Sequence, residues 1–414
     1  MDNLQALVCR ECGHEYPVTP EYVCERCFGP LEVSYDYDAA AALLTRRGFA
    51  GEPRSLWRYA PLLPAPEETR IDLGTGMTRL RDAPRLAAEL GLKRVWLKND
   101  ASNPTHSFKD RVVSVALSVA RHFGYEVAAC ASTGNLANSV AAHAAATGMR
   151  SIVFIPQDLE EAKLAASCVY GGDVIEVEGS YDDANRLCAE LAGHKHWAFV
   201  NVNFRPYYAE GSKTLAFEIA EQLGWREPDA IVAPVAGGAL VTKLAKGMRE
   251  LFAVGLLDEE PHASVFGAQA EGCAPVAAAF AAGLEDVRPI KAATVARSLA
   301  IGNPADGRYA LQEARATGGA IASVPESEVA EGMRLLARTE GVFTETAGGV
   351  VVSALEHMAR TGKISPSDET VVLLTGTGLK TIEALYPVHA THHIRPTVAE
   401  LERVLDLEPA LLSI

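Results

Sequence analysis

Residues 94–122 read RVWLKNDASNPTHSFKDRVVSVALSVARH: a short apolar strand, a polar turn, and then apolar residues at helical spacing. Ser107 followed by Asp110 is a capping-box pattern, which predicts a helix start and places Lys109 in its first turn. A helix N-terminus carries partial positive charge, so an ammonium group there is destabilised. Such an amine suits a nucleophile or base near neutral pH; the plain alternative is a solvated surface lysine.

The same strand–turn–helix unit recurs along the chain. Apolar stretches at 126–132, 151–156, 173–178, 197–202, 230–236, 263–269, 320–325 and 370–376 alternate with helical stretches, which predicts an α/β fold with parallel sheets covered on both faces. Three further turns follow such strands. Ser132-Thr133-Gly134-Asn135 opens a helix and can present N–H and hydroxyl groups to an anion such as a carboxylate, although the same residues suit an ordinary N-cap. Asn135 can also donate to an oxygen on an aromatic ring. Ala236-Gly237-Gly238-Ala239 is a glycine-rich bend before a helix, a phosphate cradle without the pattern of a P-loop or a dinucleotide site. Thr375-Gly376-Thr377-Gly378 can offer a hydroxyl to a ring nitrogen, or it is simply a tight connection.

Outside this alternation stands the N-terminal segment. Cys9-x-x-Cys12 and Cys24-x-x-Cys27 are separated by 11 residues within 5–34, which predicts a small zinc ribbon closed by four sulfurs. A site with four protein ligands leaves no open position, so its metal is structural. Cys130, Cys168, Cys188 and Cys273 read as small buried hydrophobes. Prolines 53, 61, 64 and 66 make 53–69 an extended connector, and 397–407 reads as a short final helix. The 414 residues suit two or three domains. The net charge of −15 opposes nonspecific nucleic-acid binding, and no apolar run is long enough to span a membrane. The start lacks a signal peptide, so a cytoplasmic protein is expected.

Taken together, the turns resemble the fold-type II pyridoxal-phosphate enzymes, and within them the threonine synthase family. NPTHSFKDRVVSVAL, ACASTGNLANSVAAHAA, YYAEGSKTLAFEIAEQLGW and LLTGTGLK carry the likeness, which covers about residues 5–386. The resemblance implies two doubly wound, mainly parallel sheets of tryptophan synthase β type behind the N-terminal zinc ribbon. It divides the chain into the ribbon (5–34), a large cofactor-binding domain (35–118 and 206–386), a small domain (119–205) and a C-terminal extension (387–414). It places the cofactor Schiff base on Lys109. Phe108, Asn135, Ala236, Gly237, Gly238, Ala239 and Thr375 are implied around pyridoxal 5'-phosphate, with Asn135 at its phenolic oxygen and Thr375 at its ring nitrogen. Ser107, Ser132, Thr133, Asn203, Arg205 and Lys213 are implied around the substrate, with Ser132 and Thr133 on its carboxylate. Cys9, Cys12, Cys24 and Cys27 are the implied zinc ligands.

The implied reaction turns O-phosphohomoserine and water into threonine and phosphate by γ-elimination and β-addition, in a homodimer. Three segments depart from the family pattern: AGGA at the phosphate turn, FTETAGG around Glu345, and VNVNFRPYYAEG, about two residues longer than the common form. Other fold-type II enzymes, such as a threonine or serine dehydratase or a cysteate synthase, share Lys109 and the STGN turn. A phosphate pocket at the distal end of the substrate distinguishes them.

Overall fold

Strands buried on both faces read as continuous apolar runs, and here such strands form the centres of two separate, mainly parallel sheets. The computed structural model describes residues 3–51, 53–157, 159–386 and 392–405. Thirteen strands are present among them: β1 (Leu4–Cys9), β2 (Glu15–Tyr16), β3 (Leu31–Tyr35), β4 (Leu80–Asp82), β5 (Arg94–Asn99), β6 (Val127–Ala131), β7 (Arg150–Pro156), β8 (Asp173–Val177), β9 (Ala198–Phe199), β10 (Ala230–Pro234), β11 (Ser264–Ala270), β12 (Ile321–Val324) and β13 (Glu369–Leu374).

The larger sheet has the order β12-β11-β10-β13-β5-β4, parallel except for the antiparallel edge pair β4–β5. The smaller sheet, β8-β7-β6-β9, is parallel throughout. The ribbon is the antiparallel set β2-β1-β3. In the larger sheet the last strand, β13, sits between β5 and β10. Three neighbouring strands therefore end in the three turns singled out from sequence: Lys109 after β5, Ala236–Ala239 after β10 and Thr375 after β13. Ligands of open α/β sheets bind at such carboxyl ends, where strand order reverses.

Helix Lys109–His122 is buried from Asp110 to Ala120. Gly211, in helix Arg205–Ser212, packs backbone to backbone against it: a Cβ there would stand 2.3 Å from the Arg111 carbonyl oxygen. Arg111 anchors the assembly from within. Its Nε lies 2.7 Å from Asp100 Oδ2, its Nη2 lies 2.8 Å from Glu218 Oε2, and Lys98 Nζ lies 2.6 Å from the same Glu218 oxygen. All four side chains are buried. Burial pushes the Glu218 carboxyl up, but Arg111 and Lys98 outweigh it and hold it at about 2, below its ordinary 4.5.

Several sequence expectations change. Ser107 does not cap its helix: Phe108 holds that position, and Asp110 instead accepts from Thr105 N–H and Oγ1, both at 2.7 Å, and from Ser139 Oγ at 2.6 Å. The connector 53–69 is not extended but forms 3-10 turns at Leu56–Leu62 and Glu67–Thr69. Tertiary contacts fix it, with Leu56 N–H on Thr75 O at 2.7 Å and Trp57 Nε1 on Ile71 O at 3.0 Å. The strand at 197–202 shrinks to two residues because the Asn203 amide takes the backbone groups of Phe199 and Trp197 at 2.9 and 3.0 Å. Cys168 is exposed, unlike Cys130, Cys188 and Cys273. Edge strand β4 is too short to show a periodic pattern. The final helix spans Val398–Leu405; residues 387–391 and 406–414 of the expected extension lie outside the described residues.

Arg111→Ala leaves Asp100 buried without a counter-ion and Glu218 with Lys98 alone, which should cost about 3–5 kcal/mol in equilibrium unfolding. A loss below about 1 kcal/mol would show that the network is not holding the helix. The depressed Glu218 pKa adds a sign: its contribution is complete above 4.5 and is lost as pH falls towards about 2.

Candidate active site

A cavity of about 160 Å³ opens at the carboxyl ends of these strands, with Phe108, Lys109, Ser132, Thr133, Asn135, the Ala236–Ala239 turn and Thr375 in its wall. The four sequence-singled turns thus meet in one place, although they come from both parallel sheets.

Lys109 begins its helix, as the spacing predicts. Burial lowers its pKa from 10.5 to about 8, with Glu345 opposing the shift. Its Nζ donates to Tyr208 Oη at 3.2 Å and lies 4.7 Å from the centroid of the Phe108 ring. The helix N-terminus argument and desolvation therefore act in the same direction.

Across the cavity the STGN turn starts helix Asn135–Thr147. Ser132 Oγ accepts from the N–H groups of Gly134 and Ala137, each at 2.9 Å. Both contacts use its oxygen as acceptor, which leaves its O–H to donate to a bound anion. Asn135 Nδ2 donates to Glu345 Oε2 at 2.8 Å, while Lys380 Nζ donates to Asn135 Oδ1 at 3.2 Å. Thr375 Oγ1 donates to Glu345 Oε1 at 3.1 Å. Burial also brings Lys380 down to about 8, against the pull of Glu345 and Asp110.

The Ala236–Ala239 turn leads into helix Ala239–Ala253, and Gly238 adopts φ +96° at its start. A side chain on Gly238 would also collide with Asp306, whose carbonyl oxygen stands 2.6 Å from the Cβ position. The N–H groups of Gly237, Gly238 and Ala239 find no acceptor among the described residues. Unpaired N–H groups at the start of a long helix form an anion cradle. With a buried amine and a strand-end hydroxyl in the same cavity, these residues fit pyridoxal phosphate.

Comparison with known proteins agrees. Residues 71–376 match the family model described as pyridoxal-phosphate dependent enzyme. The threonine synthase of Methanocaldococcus jannaschii is 37% identical over 91% of this chain and 93% of its own length. That of Methanosarcina acetivorans is 36% identical over 89% of this chain and 90% of its own. The chain belongs to the pyridoxal-phosphate-dependent threonine synthase family. Among solved structures, threonine deaminase isoform 2 of Solanum lycopersicum superposes with a TM-score of 0.61 at 20% identity, covering 80% of this chain and 82% of that one. That likeness concerns the fold.

Within this threonine synthase family member, the structure sorts the residues expected around the substrate. Ser132, Thr133 and Arg205 line the cavity. Asn203 spends both ends of its amide on the backbone at Phe199 and Trp197. Lys213 Nζ is fully buried between Glu210 Oε2 at 2.6 Å and Glu250 Oε2 at 2.8 Å, and is absent from the cavity wall. Ser107 is buried behind the wall, with its hydroxyl unpaired. Conversely, Asn201, Tyr208, Asp306 and Glu345 line the cavity, and Lys380 reaches it through Asn135. Tyr208 and Lys380 fall inside the motifs YYAEGSKT and LLTGTGLK, so motif membership was their only sequence signal.

The four N-terminal cysteines form a group that can hold a metal ion, with all four sulfurs within 4.8 Å of one another. Sγ of Cys9 and Cys27 are 3.4 Å apart, and those of Cys12 and Cys24 are 3.7 Å apart. Metal–sulfur bonds of about 2.3 Å at tetrahedral angles put sulfurs roughly 3.8 Å apart.

The Lys109 pKa sets a pH dependence. Below about 8 its amine is protonated and cannot attack a carbonyl. The rate at which apoprotein combines with pyridoxal phosphate, followed by visible absorbance, should rise with pH and level off above about 8–9, and Lys109→Ala should abolish it. A rate still climbing tenfold per pH unit to about 10 would mean an ordinary solvated lysine.

Proposed function

We propose that this chain converts O-phospho-L-homoserine and water into L-threonine and phosphate, with Lys109 as cofactor-holding base and Arg205 as the ligand of the substrate phosphate. One observation carries the reading: a buried amine and a guanidinium line the same cavity. Arg205 Nη2 lies 2.6 Å from Asp306 Oδ1 without hydrogen-bond alignment and has no other acceptor among the described residues. A serine-like substrate has nothing to offer that group, whereas a phosphate monoester has three oxygens.

Pyridoxal phosphate, when bound, supplies a carbonyl for the substrate amine and a ring that accepts electrons from Cα. Gly237, Gly238 and Ala239 hold its phosphate through their N–H groups, and Thr375 and Asn135 orient its ring. Ser132 and Thr133, at the start of helix Asn135–Thr147, bind the substrate carboxylate. Lys109 withdraws the Cα proton and later returns it, and Tyr208 Oη keeps the free amine at the cavity wall. Overall the Cγ–O bond breaks and phosphate departs, Cα loses and regains a proton, one proton is lost from Cβ and one gained at Cγ, water adds OH to Cβ, and its remaining proton leaves with the phosphate. Arg205 stabilises the negative charge on the departing phosphate.

We further propose the chain division 5–34, 35–118 with 206–386, 119–205 and 387–414, and a homodimer in the cytoplasm. Among the described residues no helix is long and apolar enough to cross a membrane. The cysteine group is assigned to structural zinc on its four thiolate donors. Cobalt exchange should give a tetrahedral thiolate spectrum, and Cys9→Ser with Cys12→Ser should lower Tm by more than it changes kcat. Loss of kcat with unchanged melting would contradict a structural metal.

Turnover should be readily measured with O-phospho-L-homoserine and be far slower with serine, threonine or O-phosphoserine. Arg205→Ala should lower kcat/KM for the phosphorylated substrate by roughly ten- to a few hundredfold, because charge-assisted hydrogen bonds contribute about 1.5–3 kcal/mol each. Residual deamination of serine should hardly change. Unaltered kinetics on the phosphorylated substrate would sink the assignment of Arg205.

A further inference from the structure

The first cysteine knuckle reads Cys9-Arg10-Glu11-Cys12, and Arg10 lines a small hollow that shares Arg205, Ala209, Ala239 and Asp306 with the active-site cavity. The guanidinium carbon of Arg10 stands 3.7 Å from the centroid of the Tyr309 ring, and Tyr309 Oη donates to Glu11. Arg10 Nη1 lies 3.5 Å from Asp306 Oδ1. The same oxygen is 2.6 Å from Arg205 Nη2. Asp306 is tied in turn to the phosphate turn, since its N–H donates to Gly237 O at 2.8 Å. The ribbon therefore touches the residue that neutralises Arg205.

Charge decides what this contact does. Arg205 and Asp306 alone cancel, and a neutral pair attracts a phosphate dianion weakly. Arg10 adds a second cation to the shared carboxylate, so the trio carries one net positive charge. Glu32 and Lys243, which line the same small hollow, belong to a cluster in which Lys213, Lys243 and Lys246 offset Glu32, Glu210 and Glu250, so that balance is unchanged. The Arg10 side chain is only 18% exposed, so solvent screens the trio weakly.

We propose that Arg10 is a positioning residue for the substrate phosphate: it engages Asp306 from the ribbon side and so leaves the Arg205 charge available to the cavity. The inference rests on the reading of Arg205 as phosphate ligand. It makes the ribbon a contributor to substrate affinity as well as a folded appendage.

The test is equilibrium binding of inorganic phosphate to the holoenzyme, with KM and kcat for O-phospho-L-homoserine, and with Tm and metal content measured on every variant. Arg10→Ala should weaken phosphate binding and raise KM by about five- to tenfold, with a much smaller change in kcat. Arg10→Lys should recover most of the loss, because it restores the charge. Adding Arg10→Ala to Arg205→Ala should cost little more than Arg205→Ala alone, since the two act through one interaction. If Arg205→Ala weakens phosphate binding and Arg10→Ala does not, the Arg10 inference fails while the Arg205 reading stands. If neither variant weakens it, the Arg205 reading fails and takes this inference with it. Should Arg10→Ala not fold, Asp306→Asn decides: it removes the competing carboxylate and should tighten phosphate binding, and unchanged or weaker binding overturns the proposal.

Discussion

Everything at the active site depends on a buried ion network two residues beyond the lysine. Arg111 is clamped between Asp100 and Glu218, and Lys98 shares a Glu218 oxygen with it. Charges so deeply buried persist only when each is paired and hydrogen-bonded. Here the pairing joins β5, the helix that Lys109 opens, and helix Thr214–Gln222. The direction in which Lys109 enters the cavity is thus set by side chains that do not line it. The same turn is held at its other end by Asp110, which binds Thr105 and reaches Ser139 in the helix of the STGN turn.

Sheet order supplies the second constraint. Because β13 inserts between β5 and β10, the ends of three consecutive strands deliver an amine, an N–H cradle and a hydroxyl to one crevice. The smaller sheet closes that crevice with the STGN helix. Glu345 then lies at the centre, between Asn135 and Thr375, and its charge partly offsets the cost of burying the two nearby lysines.

Much of this was legible in the sequence. Parallel strands covered on both faces give apolar runs that are visible without context, and polar turns after them mark the ligand face. Lys109, the STGN turn, Ala236–Ala239 and Thr375 were found in this way, and the structure brings them to one cavity. What stayed hidden depends on partners distant in the chain. Asp110 resembles half of a capping box until Thr105 and Ser139 claim it. Lys213 suggests a phosphate ligand until Glu210 and Glu250 enclose it. Asp306 has no local signal at all, because its importance comes from two arginines roughly 100 and 300 residues away.

Two amines with similarly lowered pKa values, Lys109 and Lys380, stand at this site, so the central claim turns on which of them holds the cofactor. Borohydride reduction of the holoenzyme, followed by peptide mapping with mass spectrometry, decides between them. The account predicts a pyridoxyl adduct on the peptide that contains Lys109. An adduct on Lys380, or on any lysine outside the NPTHSFKDR turn, would contradict it.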